Sequence, residues 1–274
     1  MPYDSGNLHL AMDIGDDRAM LATVSDRLGV IDKRRVDDVE PLHKLLLELQ
    51  ILADRAPAAI LGVGVACDIP LPSELALPWR LRQQRRVICQ LLGEAQAAQQ
   101  TDLMLWSIGE QLQGAALLDG QPWLRAVDFG HLTADALGPP CTCGARGCAN
   151  LYASEAALQE YALQLAVKTV QSSSGPDAAA LGEDLRWRQA IGEPQAERVA
   201  AMAAQAIAAA SRSAMAMLGI EQIALASRSP SIAALVLPAL QKLLPNRVFL
   251  AKLGEDAALV GAARLFGGDA ATDD

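Results

Sequence analysis

Three cysteines and one histidine lie close together in the middle of the chain. His131 is followed ten residues later by Cys141, and Cys143 and Cys148 complete the group. Three thiolates and one imidazole form a complete tetrahedral ligand set for zinc. Because four protein ligands leave no open coordination position, such an ion would hold structure and would not carry out chemistry. The alternative is a pair of ordinary buried cysteines and an unrelated thiol, which the ligand types and their spacing disfavour.

Composition limits the class of protein to which the chain can belong. Its 274 residues, 51% of them hydrophobic, are enough to bury the core of one large or two modest domains. No apolar run has the length of a membrane span, and the first residues lack the pattern of a signal peptide. Three of the five cysteines fall in the metal-type group, which indicates a reducing compartment, and the formal charge of −9 disfavours nucleic acid as a partner. We therefore expect a cytoplasmic protein that binds neither nucleic acid nor a membrane.

Apolar runs of strand length alternate with helical patterns on both sides of the cysteine group. Strands are indicated at 8–14, 19–24, 30–31, 59–66, 103–108, 221–226 and 248–252. Helices are indicated at 42–52, 83–99, 154–167, 177–189 and 194–218. This order of elements predicts an α/β fold that must position the four candidate ligands.

The sequence around the cysteines carries a family resemblance. Gly130-His131, then C-x-C-G-x-x-G-C, then a Tyr-Ala-Ser that begins a helix, resembles the zinc motif of the ROK family of bacterial sugar kinases, related repressors and open reading frames. In that family the histidine contacts the sugar as well as the metal, and an acidic residue three positions earlier also binds the sugar. The resemblance implies sugar-binding roles for His131 and Asp128, the latter replacing the usual glutamate. Asn150 replaces another glutamate of the family motif, so the resemblance does not imply that further sugar contact.

The resemblance extends in order from about Leu8 to Phe266. It implies the two-lobed ribonuclease H-like fold of the actin/Hsp70/sugar kinase superfamily. Residues 1–100 and 255–274 would form a smaller lobe, and residues 101–254 a larger lobe that carries the zinc motif. The family's usual dimerisation makes a homodimer the expected assembly. Repressors of the family carry a helix-turn-helix domain ahead of this part, and we expect none here because the first strand begins within ten residues of Met1.

The three loops that hold ATP in the kinases are altered in this sequence. The first phosphate loop, D-x-G-G-T-(K/N) in the family, here keeps Asp13 and Gly15 but has aspartates in place of the second glycine and the threonine. The loop G-T-G-I-G-G-G has become G-E-Q-L-Q-G-A, in which Gly109 and Gly114 remain, and the Gly-Gly-Gly turn facing adenosine has become Ser227–Ser229. Backbone amides and small side chains cradle phosphates, whereas carboxylates repel them. A plain polar hairpin turn fits the first loop at least as well as a working phosphate loop.

The catalytic base of the kinases also has no counterpart here. The predicted helix at 83–99 resembles the family's N-D-A-N-A-A-A-L-G-E-A helix, whose aspartate is the base, and the shared Gly-Glu-Ala places Arg85 and Arg86 at the Asn-Asp pair. An arginine cannot act as a general base because it stays protonated at any working pH. A competing alignment places Thr101 and Asp102 at the pair, but it deletes the strand predicted at 103–108.

These departures predict a divergent ROK-family protein that is a pseudokinase. It would contain a structural zinc and bind a sugar through Asp128 and His131, in a sensing or regulatory role. The alternative is an active hexose or N-acetylhexosamine kinase that uses ATP and magnesium, with Asp102, Asp13 or Asp68 as a substitute base. A second alternative is a structural or interaction subunit that binds no ligand and acts through dimerisation.

Overall fold

The structure is a computed structural model that describes residues 6–15, 18–27, 29–37, 39, 42–71, 77–124, 128–164 and 178–266. The chain divides into two compact units, residues 1–99 with 255–274 and residues 100–254. Among the described residues, each unit contains a five-stranded sheet with parallel and antiparallel pairs. The α/β fold expected from the order of the elements is therefore confirmed.

The described residues form strands and helices in the following order. The strands are β1 (Leu8–Ile14), β2 (Arg18–Ser25), β3 (Gly29–Asp37), β4 (Ile60–Ala66), β5 (Arg80–Gln84), β6 (Leu103–Ile108), β7 (Leu112–Leu118), β8 (Gln121–Pro122), β9 (Ile223–Ser227) and β10 (Val248–Leu250). The helices are α1 (Leu42–Asp54), α2 (Arg86–Ala98), α3 (Asn150–Ala153), α4 (Glu155–Gln164), α5 (Ala178–Ala190), α6 (Pro194–Leu218), α7 (Pro230–Leu243) and α8 (Ala257–Ala263). Within this part of the chain, no helix is both long and apolar enough to cross a membrane.

The sheet of the first unit has the order β3-β2-β1-β4-β5, with β4 parallel to β1 and β5 parallel to β4. Alternate residues of β1 point to opposite faces of the sheet. Leu10 and Met12 pack with the leucines of α1 at positions 45, 49 and 52 in one core. Helices α2 and α8 pack against each other, and α8 also packs on β1 and β4. The parallel strands β1, β4 and β5 thus end together at one edge, where Asp13 and the start of α2 are placed.

Helices α2 and α8 approach closely enough to require glycine on both sides. A Cβ added to Gly261 would overlap the carbonyl oxygen of Cys89, and one added to Gly93 would overlap the carbonyl oxygen of Ala257. We expect Gly261→Ala to lower the free energy of unfolding by about 1–3 kcal/mol, because two backbones must separate. Urea denaturation checks this, with Gly109→Ala as the control because an added methyl there makes only ordinary contact. Equal stability of the two variants would show that the helices separate without loss of packing.

The sheet of the second unit has the order β10-β9-β6-β7-β8, with β9 parallel to β6 and β7 antiparallel to it. The alanine-rich α6 packs in the same core as β6 and β9. Within that core the indole Nε1 of Trp106 donates a 2.8 Å hydrogen bond to the hydroxyl of Ser211. A buried indole N–H needs such a partner, so this bond fixes the position of α6 against the central strand.

Two polar strands differ from the prediction, and both lie at an edge of the first sheet. The helix predicted at 83–99 begins only at Arg86, because residues 80–84 form β5 alongside β4. The strand predicted at 30–31 extends from Gly29 to Asp37. Edge strands are solvated on several sides, so their sequences lack the apolar alternation by which a strand is predicted. The end predicted near 167 for the helix that is now α4 lies outside the described residues.

Candidate functional site

The four candidate metal ligands lie in a loop that folds back on itself between a short 3-10 helix (Phe129–His131) and α3. The backbone N–H groups of Ala134 and Asp135 both donate to the carbonyl of Gly147, at 2.7 and 3.1 Å. Within the loop, the N–H of Cys141 donates to the carbonyl of Ala145 at 2.8 Å. These bonds bring the beginning and the end of the loop together and place all four ligands on it.

Gly147 is required by the geometry of this loop. It has a φ of +60°, and a Cβ at this position would overlap the carbonyl of Asp135. Gly144 turns the chain between Cys143 and the end of the loop with a φ of +91°. Such positive φ angles are disfavoured for residues with a side chain, so the glycines of the motif let the cysteines converge.

The ligand atoms of His131, Cys141, Cys143 and Cys148 all lie within 4.8 Å of one another. Nδ1 of His131 is 3.4 Å from Sγ of Cys141, and the Sγ atoms of Cys143 and Cys148 are 3.5 Å apart. Ligands of a tetrahedral zinc ion, at roughly 2.0–2.3 Å from the metal, are separated by about 3.5–3.8 Å. The residues present therefore fit a four-coordinate metal ion.

The thiols of the cluster differ in acidity. A hydrogen bond from the backbone of Cys143 is the main cause that lowers the pKa of Cys141 to about 6, although burial opposes it. Burial, together with the neighbouring sulfur atoms, raises the pKa of Cys148 to about 12. A metal cation at the centre would favour thiolates at both positions. Metal binding at neutral pH should therefore release a proton from Cys148.

Asp128 and His131 are held together in a single turn next to the cluster. Oδ1 of Asp128 accepts a 3.0 Å hydrogen bond from the N–H of Gly130, and the N–H of His131 donates to the carbonyl of Asp128 at 2.9 Å. Both side chains are half-buried. Since Nδ1 of His131 faces Cys141, Nε2 lies on the other edge of the ring, where it can meet a ligand.

Asp13 and Arg86 form a buried ion pair at the carboxyl end of β1. Nη2 of Arg86 donates to Oδ2 of Asp13 at 2.8 Å, and Nε lies 2.7 Å from Oδ1. The Asp13 side chain is 3% exposed and the Arg86 side chain 31%. Burial opposes the charged guanidinium, but the Asp13 carboxylate outweighs it and the pKa of Arg86 lies above its ordinary value. Arg86 is thus a permanent cation in contact with both oxygens of Asp13.

The neighbouring Asp68 caps the start of α2. Its Oδ1 accepts a 3.2 Å hydrogen bond from the backbone N–H of Arg86 and lies 3.9 Å from Nε of Arg85. A carboxylate at a helix N-terminus is stabilised by the free N–H groups and the helix dipole. Both candidate bases of this unit, Asp13 and Asp68, are therefore engaged by Arg86.

Two acidic residues, Glu110 and Glu155, lie at the turn between β6 and β7. The N–H of Glu155, the first residue of α4, donates to the carbonyl of Gly109 at 2.8 Å. Oε1 of Glu155 is buried and has no hydrogen-bond partner among the described residues. Burial raises the pKa of this carboxyl, Arg228 opposes the rise, and Glu110 adds to it. Arg228 itself lies 3.8 Å from Glu110.

Gly114 and Gly15, two of the glycines retained from the family's phosphate loops, make local structural contacts. A Cβ at Gly114 would crowd Phe129 and the Trp106 ring, so this glycine is needed for contact between β7 and its neighbours. The N–H of Gly15 donates to the carbonyl of Arg18 at 2.9 Å, and the two aspartates between them in the chain lie outside the described residues.

Asp102 lies at the amino end of β6, and Gly109 follows the carboxyl end of that strand. The two carboxylate oxygens of Asp102 accept hydrogen bonds from the Asp119 N–H at 3.0 Å and from the Thr101 hydroxyl at 2.9 Å. Asp102 therefore stabilises the turns at the opposite end of the strand from the loop at Gly109.

The ROK family model matches residues 71–268, which is well over half of the chain. The chain belongs to the ROK family. A segment of 56 residues is 46% identical to the xylose repressor of Bacillus spizizenii. That match spans only 14% of the repressor and 20% of this chain.

Solved structures of the ROK family have the same fold as this chain. The ROK hexokinase from Thermus thermophilus superposes with a TM-score of 0.73 at 20% identity, over 93% of this chain and 96% of the hexokinase. The glucokinase from Streptomyces griseus, solved with glucose and AMPPNP, has a TM-score of 0.67 at 18% identity, covering 94% and 99%. A ROK transcriptional regulator homologous to the E. coli MLC protein has a TM-score of 0.73 at 17% identity, covering 94% and 77%. The expected actin/Hsp70/sugar kinase-type fold is confirmed.

Sequence reasoning about this ROK-family chain missed two features of the site. The Asp13–Arg86 pair joins residues 73 positions apart, and no spacing in the sequence signals it. Glu155 falls at the beginning of the helix predicted at 154–167, and its burial beside the Gly109 turn follows from packing. The nearest available signal was the acidic residues in two of the three altered loops, at positions 16, 17 and 110.

Proposed function

We propose that this ROK-family protein binds a sugar and a structural zinc ion but does not transfer phosphate. The observation that carries the proposal is the ion pair between Arg86, at the family's base position, and Asp13 in the remnant of the first phosphate loop. A sensing or regulatory role follows, since binding without turnover leaves the sugar as a signal.

Phosphoryl transfer to a sugar needs a group that accepts the proton of the attacking hydroxyl. Arg86 has no lone pair for this purpose, and its guanidinium contacts both oxygens of Asp13. Asp68 is engaged at the start of α2, and both oxygens of Asp102 accept hydrogen bonds. Each carboxylate considered as a substitute base thus has a structural partner, which supports loss of catalysis.

Binding of ATP is also opposed by charge at the Gly109 turn. In this unit Glu110 and Glu155 lie where the family has a glycine-rich loop, with Arg228 as a nearby cation. Two unit charges of the same sign at about 4 Å repel each other by roughly 4 kcal/mol at an effective dielectric constant of 20. Nucleotide phosphates would meet this repulsion, and the larger side chains of the altered loop would keep them away from the backbone amides that normally offset it.

The proposed zinc ion would be held by Nδ1 of His131 and the Sγ atoms of Cys141, Cys143 and Cys148. A closed four-ligand zinc site stabilises structure. The chain's own contribution is to fix the ring of His131 so that Nε2 is directed away from the cysteines. His131 and Asp128, joined in one turn, would then accept and donate hydrogen bonds to hydroxyl groups of a sugar. The glucose in the S. griseus glucokinase supports a hexose as the ligand class.

Calorimetric titration tests the proposal. We expect binding of one or more hexoses or N-acetylhexosamines and no heat with ATP and magnesium. Asp128→Asn should weaken sugar binding about tenfold, since it keeps the acceptor for Gly130 but removes a charge-assisted hydrogen bond. Asp135→Asn, in the same loop, is the matched control and should bind like the wild type.

Two outcomes distinguish the alternatives. Phosphate transfer from ATP to any sugar would refute the pseudokinase and support an active kinase, whereas no binding of sugar or nucleotide would favour an interaction subunit. The expected homodimer is tested by analytical ultracentrifugation, and the expected cytoplasmic location by fractionation of the source cells.

A further inference from the structure

The loop that carries the four candidate metal ligands exposes one of its cysteines. Residues 142–146 form an exposed tip that contains Cys143, whereas Cys148 is fully buried and Cys141 is 9% exposed. A Cβ added to Gly144, next to Cys143, would meet no atom within 4 Å, so there is open space beside the tip. Cys143 is therefore the cysteine of the cluster that a small oxidant in solution meets first.

The buried Cys148 lies against this exposed cysteine. The Sγ atoms of Cys143 and Cys148 are 3.5 Å apart, and a disulfide bond of about 2.05 Å requires them to approach by about 1.5 Å. The Sγ of Cys141 instead faces His131, at 3.4 Å from Nδ1. Since Cys143 lies on the exposed tip, a small movement of the tip joins it to Cys148.

Both cysteines are in the reactive form when they ligate zinc. A thiol that coordinates a metal cation is deprotonated, and the thiolate is the form that peroxides oxidise. Redox-sensing cysteines are accessible and often lie next to a second cysteine that completes a disulfide. In a reducing compartment such a disulfide is transient, so it records the presence of an oxidant.

We propose that Cys143 and Cys148 form a peroxide-sensitive switch that releases the zinc ion. Sγ of Cys143 attacks one oxygen of hydrogen peroxide, the O–O bond breaks, and hydroxide leaves and is protonated to water. Sγ of Cys148 then attacks the sulfenic acid of Cys143, forms the S–S bond and expels a second hydroxide, which is also protonated to water. The two sulfur atoms lose two electrons, and the two oxygen atoms of peroxide gain them.

The disulfide leaves only His131 and Cys141 as ligands, and two ligands hold zinc far more weakly than four. Release of the ion also frees Nδ1 of His131. The N–H of Ala149 donates at 2.9 Å to the carbonyl of Leu132. These two residues directly follow Cys148 and His131, so movement of Cys148 is transmitted to the turn that we propose for sugar binding. The switch rests on the proposed function and adds control of the sugar site by peroxide.

The test uses the zinc-loaded full chain. Hydrogen peroxide should release one zinc ion per chain, measured with a chromogenic zinc chelator, and dithiothreitol with added zinc should restore binding. Trypsin cleaves after Arg146, so the expected disulfide joins two peptides, whereas a bond between Cys141 and Cys143 stays within one peptide. Fragmentation of the joined peptides in a mass spectrometer then distinguishes Cys143 from Cys141 as the partner of Cys148.

Cys143→His keeps four ligands for zinc but removes the thiol that attacks peroxide. This variant should bind zinc and release it to peroxide at least about tenfold more slowly than the wild type. Cys67→Ala, which removes a thiol of the first unit, is the control and should respond like the wild type. In calorimetry with glucose and N-acetylglucosamine, peroxide should weaken sugar binding by the wild type and leave Cys143→His unchanged.

Metal analysis and sugar titration of the untreated protein separate failure of the switch from failure of the proposed function. Zinc retained in peroxide, a disulfide that contains Cys141, or release from Cys143→His at the wild-type rate would overturn the switch alone. Untreated protein without zinc would overturn both proposals. If Cys143→His does not fold, the disulfide found in the wild-type peptides still decides the result.

Discussion

Replacing Arg86 with alanine is expected to lower the free energy of unfolding by about 3–5 kcal/mol at neutral pH, the usual effect of removing one partner of a buried ion pair. The reason is that the Asp13 side chain, 3% exposed, would remain charged without a compensating cation. Urea denaturation followed by circular dichroism measures the change.

The pH dependence of this effect has a definite sign. Burial already raises the pKa of Asp13, and Arg86 opposes that rise. Removal of the Arg86 side chain should therefore raise the pKa of Asp13 further. A folded-state pKa above the unfolded value makes the folded state bind more protons. The Arg86→Ala protein should therefore recover part of its lost stability as the pH falls through the raised pKa of Asp13.

Arg85→Ala is the matched control for this experiment. Arg85 is the adjacent arginine, but its side chain is 47% exposed and its Nε lies 3.9 Å from Asp68. An exposed pair of this kind contributes roughly 0–1 kcal/mol. The double variant Asp13→Asn/Arg86→Ala should be more stable than Arg86→Ala alone, since it removes the stranded charge. Equal stability of the Arg85 and Arg86 variants would show that the buried pair does not stabilise the unit.

Removal of the proposed zinc ion is the second change with a large expected effect. We expect one zinc ion per chain, and a chelator should lower the free energy of unfolding of residues 100–254 by about 4 kcal/mol when free zinc is 1,000 times its Kd. The reason is mass action, because an ion that binds only the folded state stabilises that state by RT ln(1 + c/Kd), where c is the free zinc concentration. Metal analysis and thermal unfolding with and without chelator measure both quantities.

Cys148→Ala separates metal binding from the ordinary loss of a buried thiol. Cys148 is fully buried in the cluster, and Cys89 is equally buried in the other unit. Cys148→Ala should abolish zinc binding, whereas Cys89→Ala should keep one zinc ion and the response to chelator. Zinc affinity should fall more steeply with pH below about pH 6, because Cys141 then holds a proton in addition to Cys148. A protein that contains no metal and does not respond to chelator would contradict the zinc site.

Local sequence patterns alone were sufficient to predict the central elements and the clustering of the four candidate ligands. The largely apolar run Leu103–Ile108 is the buried strand β6, and α6 spans Pro194–Leu218 as predicted, with Gly219 at its C-terminal cap. The convergence of the four candidate metal ligands could be predicted because they lie within 18 residues, from His131 to Cys148, so that chain connectivity itself keeps them close. Buried central strands, capped helices and short ligand loops have signals that do not depend on the rest of the fold.

The tertiary structure decided where polar residues meet. The strand β5 and most of β3 exist because neighbouring strands pair with them, although their own sequences are charged. Arg86 contacts Asp13 because β1, β4 and β5 are parallel and end at the edge where α2 begins. Such contacts join residues far apart in the chain, and their energies depend on burial, which a single sequence does not specify.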